Sequence, residues 1–131
     1  DIIKVPTMKK VEVIEHNIYT PNEQILEKWL LKQCRELFQK RLEERWNEME
    51  EEIPYPKLKL RKMKTRWGVC NKKNISITLN TELIHYDIVC LDYVIVHELS
   101  HFIHFDHSKD FWNLVGKYCY NYKEIRKILK G

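Results

Sequence analysis

The chain has 131 residues and a mass of 16.1 kDa, with 44% hydrophobic residues, 32% charged residues and a net charge of +4. This length and composition predict a single globular domain, residues 1–131, and exclude a disordered chain or one with an apolar run long enough to span a bilayer. The four cysteines are scattered without a Cys-x-x-Cys pair, which argues against a disulfide framework or a thiolate metal cluster and favours a reducing cytoplasm.

The first long element is an N-terminal helix. The chain begins without an initiator methionine or an apolar signal core, which predicts a processed or truncated piece. In "TPNE" (residues 20–23), Thr20 can cap a helix, Pro21 suits its first position and Glu23 completes a capping box. Apolar residues then recur at three- and four-residue steps until about Glu52, where "IPYP" breaks the pattern.

A small sheet should follow this helix. The segment "KLKLRKMKTRWGVC" (residues 57–70) alternates like an amphipathic strand, with a one-residue slip near Arg61 and Lys62 that predicts a β-bulge. "NKKN" predicts a turn, and "ISITL" (residues 75–79) predicts a second strand, so that the two form a hairpin.

The next predicted element is a helix from about Ile88 to His104. Its apolar residues surround the helix axis, which predicts burial on most sides. A rival interpretation makes "YVIV" a strand because it contains three β-branched residues, but the apolar pattern continues unbroken beyond it. Asp87 can cap this helix, and Ser108 and Asn121 can cap two further C-terminal helices.

The segment "HELSHFIHFDH" (residues 97–107) places four of the six histidines inside this apolar region. Ionisable groups on a buried helix cost several kcal/mol unless something compensates, and a metal ion would compensate. His97 and His101 are four residues apart, so both face one side of the helix at a separation that one zinc ion can bridge. Glu98 is rotated by about 100° from His97, in the position of a general base. The alternative is a pair of core histidines with backbone partners.

A third protein ligand must come from beyond the helix. His107 is the first choice because "HFDH" lets the chain turn back before Ser108 starts a new helix. His104 and Glu124 are the alternatives: His104 is one turn further along the same face, and Glu124 is an acid on a later helix.

Two longer stretches resemble a known family. "RWGVCNKKNISITLN" (residues 66–80) and "LDYVIVHELSHFIHFDHSKDFW" (residues 91–112) are similar to the YgjP-like metal-dependent hydrolases, relatives of the SprT-like and other zincin metallopeptidases. The resemblance covers about residues 60–118. It implies an α+β zincin-like fold, zinc held by His97, His101 and His107, and Glu98 as the catalytic acid and base. Family members tend to carry an N-terminal β-rich region, of which residues 1–19 would be a remnant.

Three functions are compatible with such a site. A peptidase would use Glu98 as proton carrier and hold the peptide by β-addition to an exposed edge at Ile75–Leu79. A phosphohydrolase would act on a nucleotide, since the resemblance extends to proteins described as acting on UTP. A nucleic-acid-binding module is the third possibility, although the sequence has no recognisable recognition motif.

The residues between 57 and 73 include eight Lys or Arg and no acid. Their exposed side would hold phosphates in the phosphohydrolase, and its alternative role is that of a solvated strand edge whose lysines oppose aggregation. Lys64, Arg66 and Trp67 are the candidate substrate-binding residues. Gly68, beside Trp67, permits close approach of a ligand or of the active-site helix.

Overall fold

Four α-helices and two small sheets form the α+β structure of residues 1–130, which are the residues described by this computed structural model. The elements are β1 (Ile2–Lys4), β2 (Glu12–Ile14), β3 (Asn17–Thr20), α1 (Glu23–Glu48), β4 (Lys57–Arg61), β5 (Gly68–Asn71), β6 (Ser76–Asn80), a short 3-10 helix (Thr81–His85), α2 (Ile88–Ser100), α3 (Lys109–Tyr118) and α4 (Tyr122–Lys130). The chain divides into two compact units, residues 1–36 and the residues from 37 onward, and the boundary lies within α1. That residues 1–131 form a single domain stays a prediction.

The first unit contains a three-stranded sheet in the order β1-β3-β2, with β1 parallel and β2 antiparallel to β3. Thr20, predicted as the cap of α1, is the last residue of β3. Its hydroxyl donates a hydrogen bond of 2.9 Å to the Asn22 carbonyl instead of accepting one from a helix N–H. Asn22 caps the helix instead, because its Oδ1 accepts a hydrogen bond of 3.0 Å from the backbone N of Ile25. Glu23 lies in the first turn and pairs with Lys4 at 2.8 Å. The helix therefore begins later than predicted.

The apolar stripe of α1 is confirmed, since Leu26, Cys34, Phe38 and Leu42 are buried. Its end is earlier than predicted, at Glu48 instead of about Glu52.

The second sheet has the order β4-β6-β5, with β6 in the centre, parallel to β4 and antiparallel to β5. The β5–β6 hairpin confirms the prediction, but the single bulged strand is wrong. Residues 62–67 leave the sheet instead, and the Asn80 side-chain amide donates hydrogen bonds of 2.9 and 2.8 Å to the carbonyls of Met63 and Arg66. The predicted edge at Ile75–Leu79 is also wrong, because β6 is paired on both sides. β4 and β5 are the edge strands of this sheet.

The segment "YVIV" is helical, as the preferred interpretation stated. Asp87 caps α2 by accepting a hydrogen bond of 3.1 Å from Val89 N, and Ser108 caps α3 by accepting one from Phe111 N. α2 ends at Ser100 instead of His104, since the Ser100 carbonyl accepts from the backbone N of both Ile103 and His104 and closes a turn there.

The core of the second unit surrounds α2, which contacts β5, β6, α3 and α4. The largest fully buried side chains of this unit include Phe38, Leu42, Ile77, Leu79, Leu91, Ile95, Leu99 and Phe111. Ile88 and Val89 are exceptions to the predicted burial of α2, because the first turn of the helix is exposed. None of the helices in residues 1–130 has the length and apolarity needed to cross a membrane.

Candidate metal centre

His97, His101 and His107 meet at the C-terminal end of α2. One ring nitrogen from each lies within 4.8 Å of the others, so the three could hold one metal ion. His97 lies on the last full turn of the helix, and His101 is its C-terminal cap. His107 returns from the turn that follows, immediately before the Ser108 cap of α3.

The ring of His101 has a defined orientation. Its Nδ1 lies 3.1 Å from the carbonyl oxygen of His104. A carbonyl oxygen can only accept, so Nδ1 carries the hydrogen and, in the neutral ring, Nε2 keeps the lone pair that binds a metal. The backbone of His104 therefore contributes to the site, while its imidazole is not part of the cluster found among residues 1–130. Glu124, the other alternative ligand, is exposed on α4 and also lies outside the cluster.

The environment of His107 favours its neutral form. Burial lowers the pKa of His107, and the neighbouring His97 and His101 lower it further. A histidine binds a metal ion only when the ring nitrogen is unprotonated. The crowding of three imidazoles therefore suits a metal ion and disfavours their common protonation.

Glu98 is buried beside this cluster, with 5% of its surface exposed. Its Oε2 lies 3.2 Å from His97 Nδ1. Gly68 of β5 leaves the space that this side chain occupies, because a Cβ at position 68 would lie 3.0 Å from both Cγ and Oε2 of Glu98 and 2.8 Å from Val94 Cγ1. The sequence predicts that Gly68 permits close approach either of a ligand or of the helix that carries Glu98. The structure has the close approach of that helix, α2.

Aromatic rings surround the three imidazoles. Phe111 stacks on His101 with ring centroids 4.5 Å apart and contacts the other two histidines edge-on. Trp112 stacks on His107 at 5.8 Å and lies 5.6 Å from His97. Both belong to α3, so this helix fixes the rings of all three histidines through packing.

A charged network fixes α2 from the opposite end. Asp92 accepts hydrogen bonds from Arg41 and pairs with Arg45 at 2.8 Å, and its side chain is 19% exposed. The two arginines lie on the C-terminal half of α1, and Asp92 lies five residues before His97. This network therefore fixes the helix that carries the first histidine.

The three histidines and Glu98 open into a cavity of about 400 Å³ that is also lined by β5 and by Arg66. Trp67 lies beside His97 and Glu98 in an adjoining cavity, donates a hydrogen bond of 3.2 Å to the Leu129 carbonyl and packs against Tyr86. Lys64 lines a third cavity, which it shares with Arg66 and Trp67. The structure thus brings Arg66 and Trp67 close to the histidines and leaves Lys64 further away.

The sequence interpretation missed several neighbours of the cluster. Val69, Cys70 and Phe105 line its cavity, and Phe105 is 71% exposed at the rim. Burial raises the pKa of the Cys70 thiol to about 12, with a further increase from the charge of Glu98, so Cys70 is protonated at neutral pH. The alternating pattern of residues 57–70 predicts that Cys70 lies on a strand. Its position at this cavity depends on the packing of β5 against α2, which the pattern does not show.

The donor set fits a metal ion. Three imidazoles, one already oriented by a backbone carbonyl, form an N₃ set of the kind that binds zinc with a further position open. Within the described residues no carboxylate forms an ion pair with His101 or His107, and their ring nitrogens converge with that of His97 on one point.

Comparison with known proteins gives a consistent result. The family described as YgjP-like, metallopeptidase domain, matches residues 3–131. The fold is similar to the crystal structure of the metallopeptidase zymogen of Pyrococcus abyssi abylysin, with a TM-score of 0.55, 21% identity, and coverage of 73% of this chain and 90% of that one. It is also similar to the metallopeptidase zymogen of Methanocaldococcus jannaschii jannalysin, with a TM-score of 0.54, 24% identity, and coverage of 74% and 94%. A comparison with curated proteins gave no match.

At these identities the two structures establish the fold, which agrees with the zincin-like α+β prediction. The family match spans both compact units and the whole of the histidine cluster. The chain therefore belongs to the YgjP-like metallopeptidase family, as the resemblance in its sequence had indicated.

Proposed function

We propose that this protein is a zinc-dependent peptidase in which His97, His101 and His107 hold the ion and Glu98 is the general base. The observation that carries the proposal is the meeting of three imidazoles and one buried carboxylate in a single cavity beside a strand edge. Three histidines in an open N₃ set favour zinc, which, when bound, polarises the scissile carbonyl and lowers the pKa of the attacking water.

Glu98 supplies the proton transfers. In the proposed reaction its carboxylate takes a proton from the water as the new C–O bond forms, and delivers that proton to the amine nitrogen as the C–N bond breaks. Burial removes the carboxylate from bulk water, and its contacts with His97 and with the backbone at Gly68 restrict it to the cavity. This restriction favours a proton carrier that needs little reorganisation.

We infer that the peptide is held by β5 and not by the segment Ile75–Leu79. β5 is an edge strand of its sheet, and its residues line the same cavity as Glu98. An extended peptide added to this edge would bring its carbonyls along the histidine cluster. Arg66, in the loop that precedes this strand, is the proposed substrate contact. Trp67 would position Arg66 by anchoring the loop to α4. Lys64 is less favoured as a direct substrate contact because it lines a separate cavity.

Hydrolysis of a nucleotide such as UTP at the same centre is the alternative. Arg66 supports it, but Lys57, Lys59 and Arg61 lie on β4, the other edge of the sheet, with β6 between them and β5. A nucleic-acid-binding function has less support still, because it rests only on the exposed basic residues. The cytoplasmic location, which rests on the scattered cysteines, stays a prediction.

Three single variants test the assignment of ligand and base. Glu98→Gln keeps the shape of the side chain, so zinc should remain stoichiometric by elemental analysis while peptide turnover falls roughly 100-fold or more. His107→Ala removes a ligand, so zinc should be lost on dialysis. His104→Ala is the matched control, because only the backbone of His104 takes part in the site, and it should keep both zinc and activity.

If Glu98→Gln releases zinc as readily as His107→Ala, Glu98 is a structural partner of the site and its assignment as base is wrong. Peptide libraries and UTP are assayed side by side with the same zinc-loaded protein. Robust UTP turnover that collapses in Arg66→Ala, with no peptide cleavage, would favour the alternative.

A further inference from the structure

A second concave surface lies next to the metal centre. It is a groove of about 520 Å³ lined by residues of α3 and α4, and it is separate from the cavity that contains the histidines. Five of its lining residues are cations: Lys109, Lys123, Arg126, Lys127 and Lys130. No carboxylate belongs to the part of this lining that the structure describes. We call this surface the basic groove.

The cations are arranged as a stripe. Lys123, Arg126, Lys127 and Lys130 follow the spacing i, i+3, i+4, i+7, which places them on one face of α4 over a length of about 10 Å. All four are exposed, and within residues 1–130 none of them pairs with a carboxylate. Like charges at this spacing repel, and an anionic ligand would relieve the repulsion.

Trp112 connects the basic groove to the metal centre. Its indole lines the groove and also stacks on His107, with ring centroids 5.8 Å apart. Tyr122 stacks on the same indole at 5.2 Å, and the Arg126 guanidinium lies 4.5 Å from its centroid. A single ring thus separates the cations from a proposed zinc ligand, so a ligand bound in the groove would lie close to the reacting centre.

We infer that the basic groove binds acidic segments of a peptide and makes the enzyme selective for substrates with acidic residues near the scissile bond. The step from binding to selectivity rests on the proposed peptidase function. A peptide is favoured over a nucleotide because the Trp112 ring already stacks on His107 and Tyr122 and lies against the Arg126 guanidinium. It therefore offers little free ring surface to a base.

The binding test does not depend on catalysis. Fluorescence anisotropy compares a fluorescein-labelled peptide rich in glutamate with its counterpart in which every glutamate is glutamine. The groove variant is Lys123→Gln, Lys127→Gln and Lys130→Gln combined. The matched control removes the same charge from exposed lysines of α1, as Lys28→Gln, Lys32→Gln and Lys40→Gln. Since all six side chains are exposed, both variants should keep the melting temperature of the wild type.

The wild type and the control should prefer the glutamate peptide, and the groove variant should bind it roughly tenfold more weakly, the sum of three surface ion pairs. With zinc-loaded protein, KM for a glutamate-containing substrate should rise by the same factor while kcat stays unchanged. Equal binding of the glutamate peptide by the two triple variants overturns the inference. It is also overturned if UTP or a single-stranded oligonucleotide loses affinity in the groove variant while the peptide does not. Absence of hydrolysis with intact charge-selective binding would instead contradict the proposed function.

Discussion

The substitution Gly68→Ala tests how closely β5 and α2 must approach for the metal centre to work. The new Cβ would lie 2.8 Å from Val94 Cγ1, whereas carbon atoms in contact are about 3.5–4.0 Å apart. The two groups must therefore separate by roughly 0.7 Å or more. Val94 is 2% exposed and β-branched on a packed helix, so it can yield little. Glu98, at 3.0 Å, is the more flexible neighbour and should move.

Two opposing terms set the expected stability. Overpacking of this kind costs about 1–3 kcal/mol, and replacing glycine by alanine regains about 0.4–1 kcal/mol through the unfolded chain. We therefore expect a net loss of about 0–2.6 kcal/mol in the free energy of unfolding, measured by urea titration. Zinc should be retained because the three atoms nearest to the new methyl group belong to Val94 and Glu98 and not to a histidine. The value of kcat should fall roughly 10- to 100-fold as the Glu98 carboxylate is displaced.

Gly116→Ala is the matched control. Its Cβ would lie 3.4 Å from Tyr122 Cε1, an ordinary contact, and the residue lies within α3. It should raise stability by about 0.5–1 kcal/mol and leave turnover unchanged. If Gly68→Ala is as stable as Gly116→Ala and turns over substrate at the wild-type rate, the contact between β5 and Glu98 does not restrict the carboxylate, and the reasoning is refuted.

Three further predictions concern stability. Asp92→Asn should destabilise the protein by about 1.5–3 kcal/mol by chemical unfolding, because Arg41 and Arg45 lose their shared carboxylate and keep Glu44 and Glu48 as partners. Burial raises the pKa of Glu51, but hydrogen bonds from Tyr118 and Lys117 outweigh it, so the pKa lies below 4.5 in the folded protein. The stability from this group is therefore present above pH 4.5 and lost as pH falls through the folded pKa, and Glu51→Gln should abolish that part of the acid dependence. Removal of zinc by a chelator should lower the melting temperature. Free zinc at a thousand times its Kd should then raise the free energy of unfolding by about 4 kcal/mol.

The parts of the fold that were predictable are those set by local sequence. The helical spacing of α1, the hairpin turn and the Asp87 and Ser108 caps depend on neighbouring residues, and the structure agrees with them. The N-terminal end of α1 depends instead on a tertiary pairing. Thr20 has the composition of a helix cap, but its pairing with Lys4 in the first sheet assigns it to a strand.

The sheet shows the same limit more clearly. Residues 57–70 alternate well enough to pass for one bulged strand, and nothing local reveals that Asn80 binds the backbone of residues 63 and 66 and holds the loop out of the sheet. The position of β6 between β4 and β5 is a consequence of that loop. Hence the edge next to the metal centre was assigned to the wrong strand, although the strands themselves were recognised.

The candidate site could be named from sequence because a helix places residues four apart on one face, whatever surrounds it. The convergence of His107 with His97 and His101 agrees with the spacing argument, but the groups that orient these rings come from elsewhere in the chain. Trp112 lies in an apolar pattern that predicts packing. Both Phe111 and Trp112 do pack, and they pack against the histidines of the cluster. Which side chains they pack against depends on the tertiary structure and cannot be predicted from the local sequence.

β5 has two roles in the proposed reaction, and they constrain each other. Its outer edge is the proposed seat of the peptide, and its backbone at Gly68 touches the Glu98 side chain. The distance from the edge of the sheet to the carboxylate is therefore set by one residue without a side chain. A larger residue at position 68 would move the peptide and the base apart together, whereas a change at His107 would leave that distance intact and remove the metal. The two kinds of variant should thus separate the positioning of substrate from the binding of zinc.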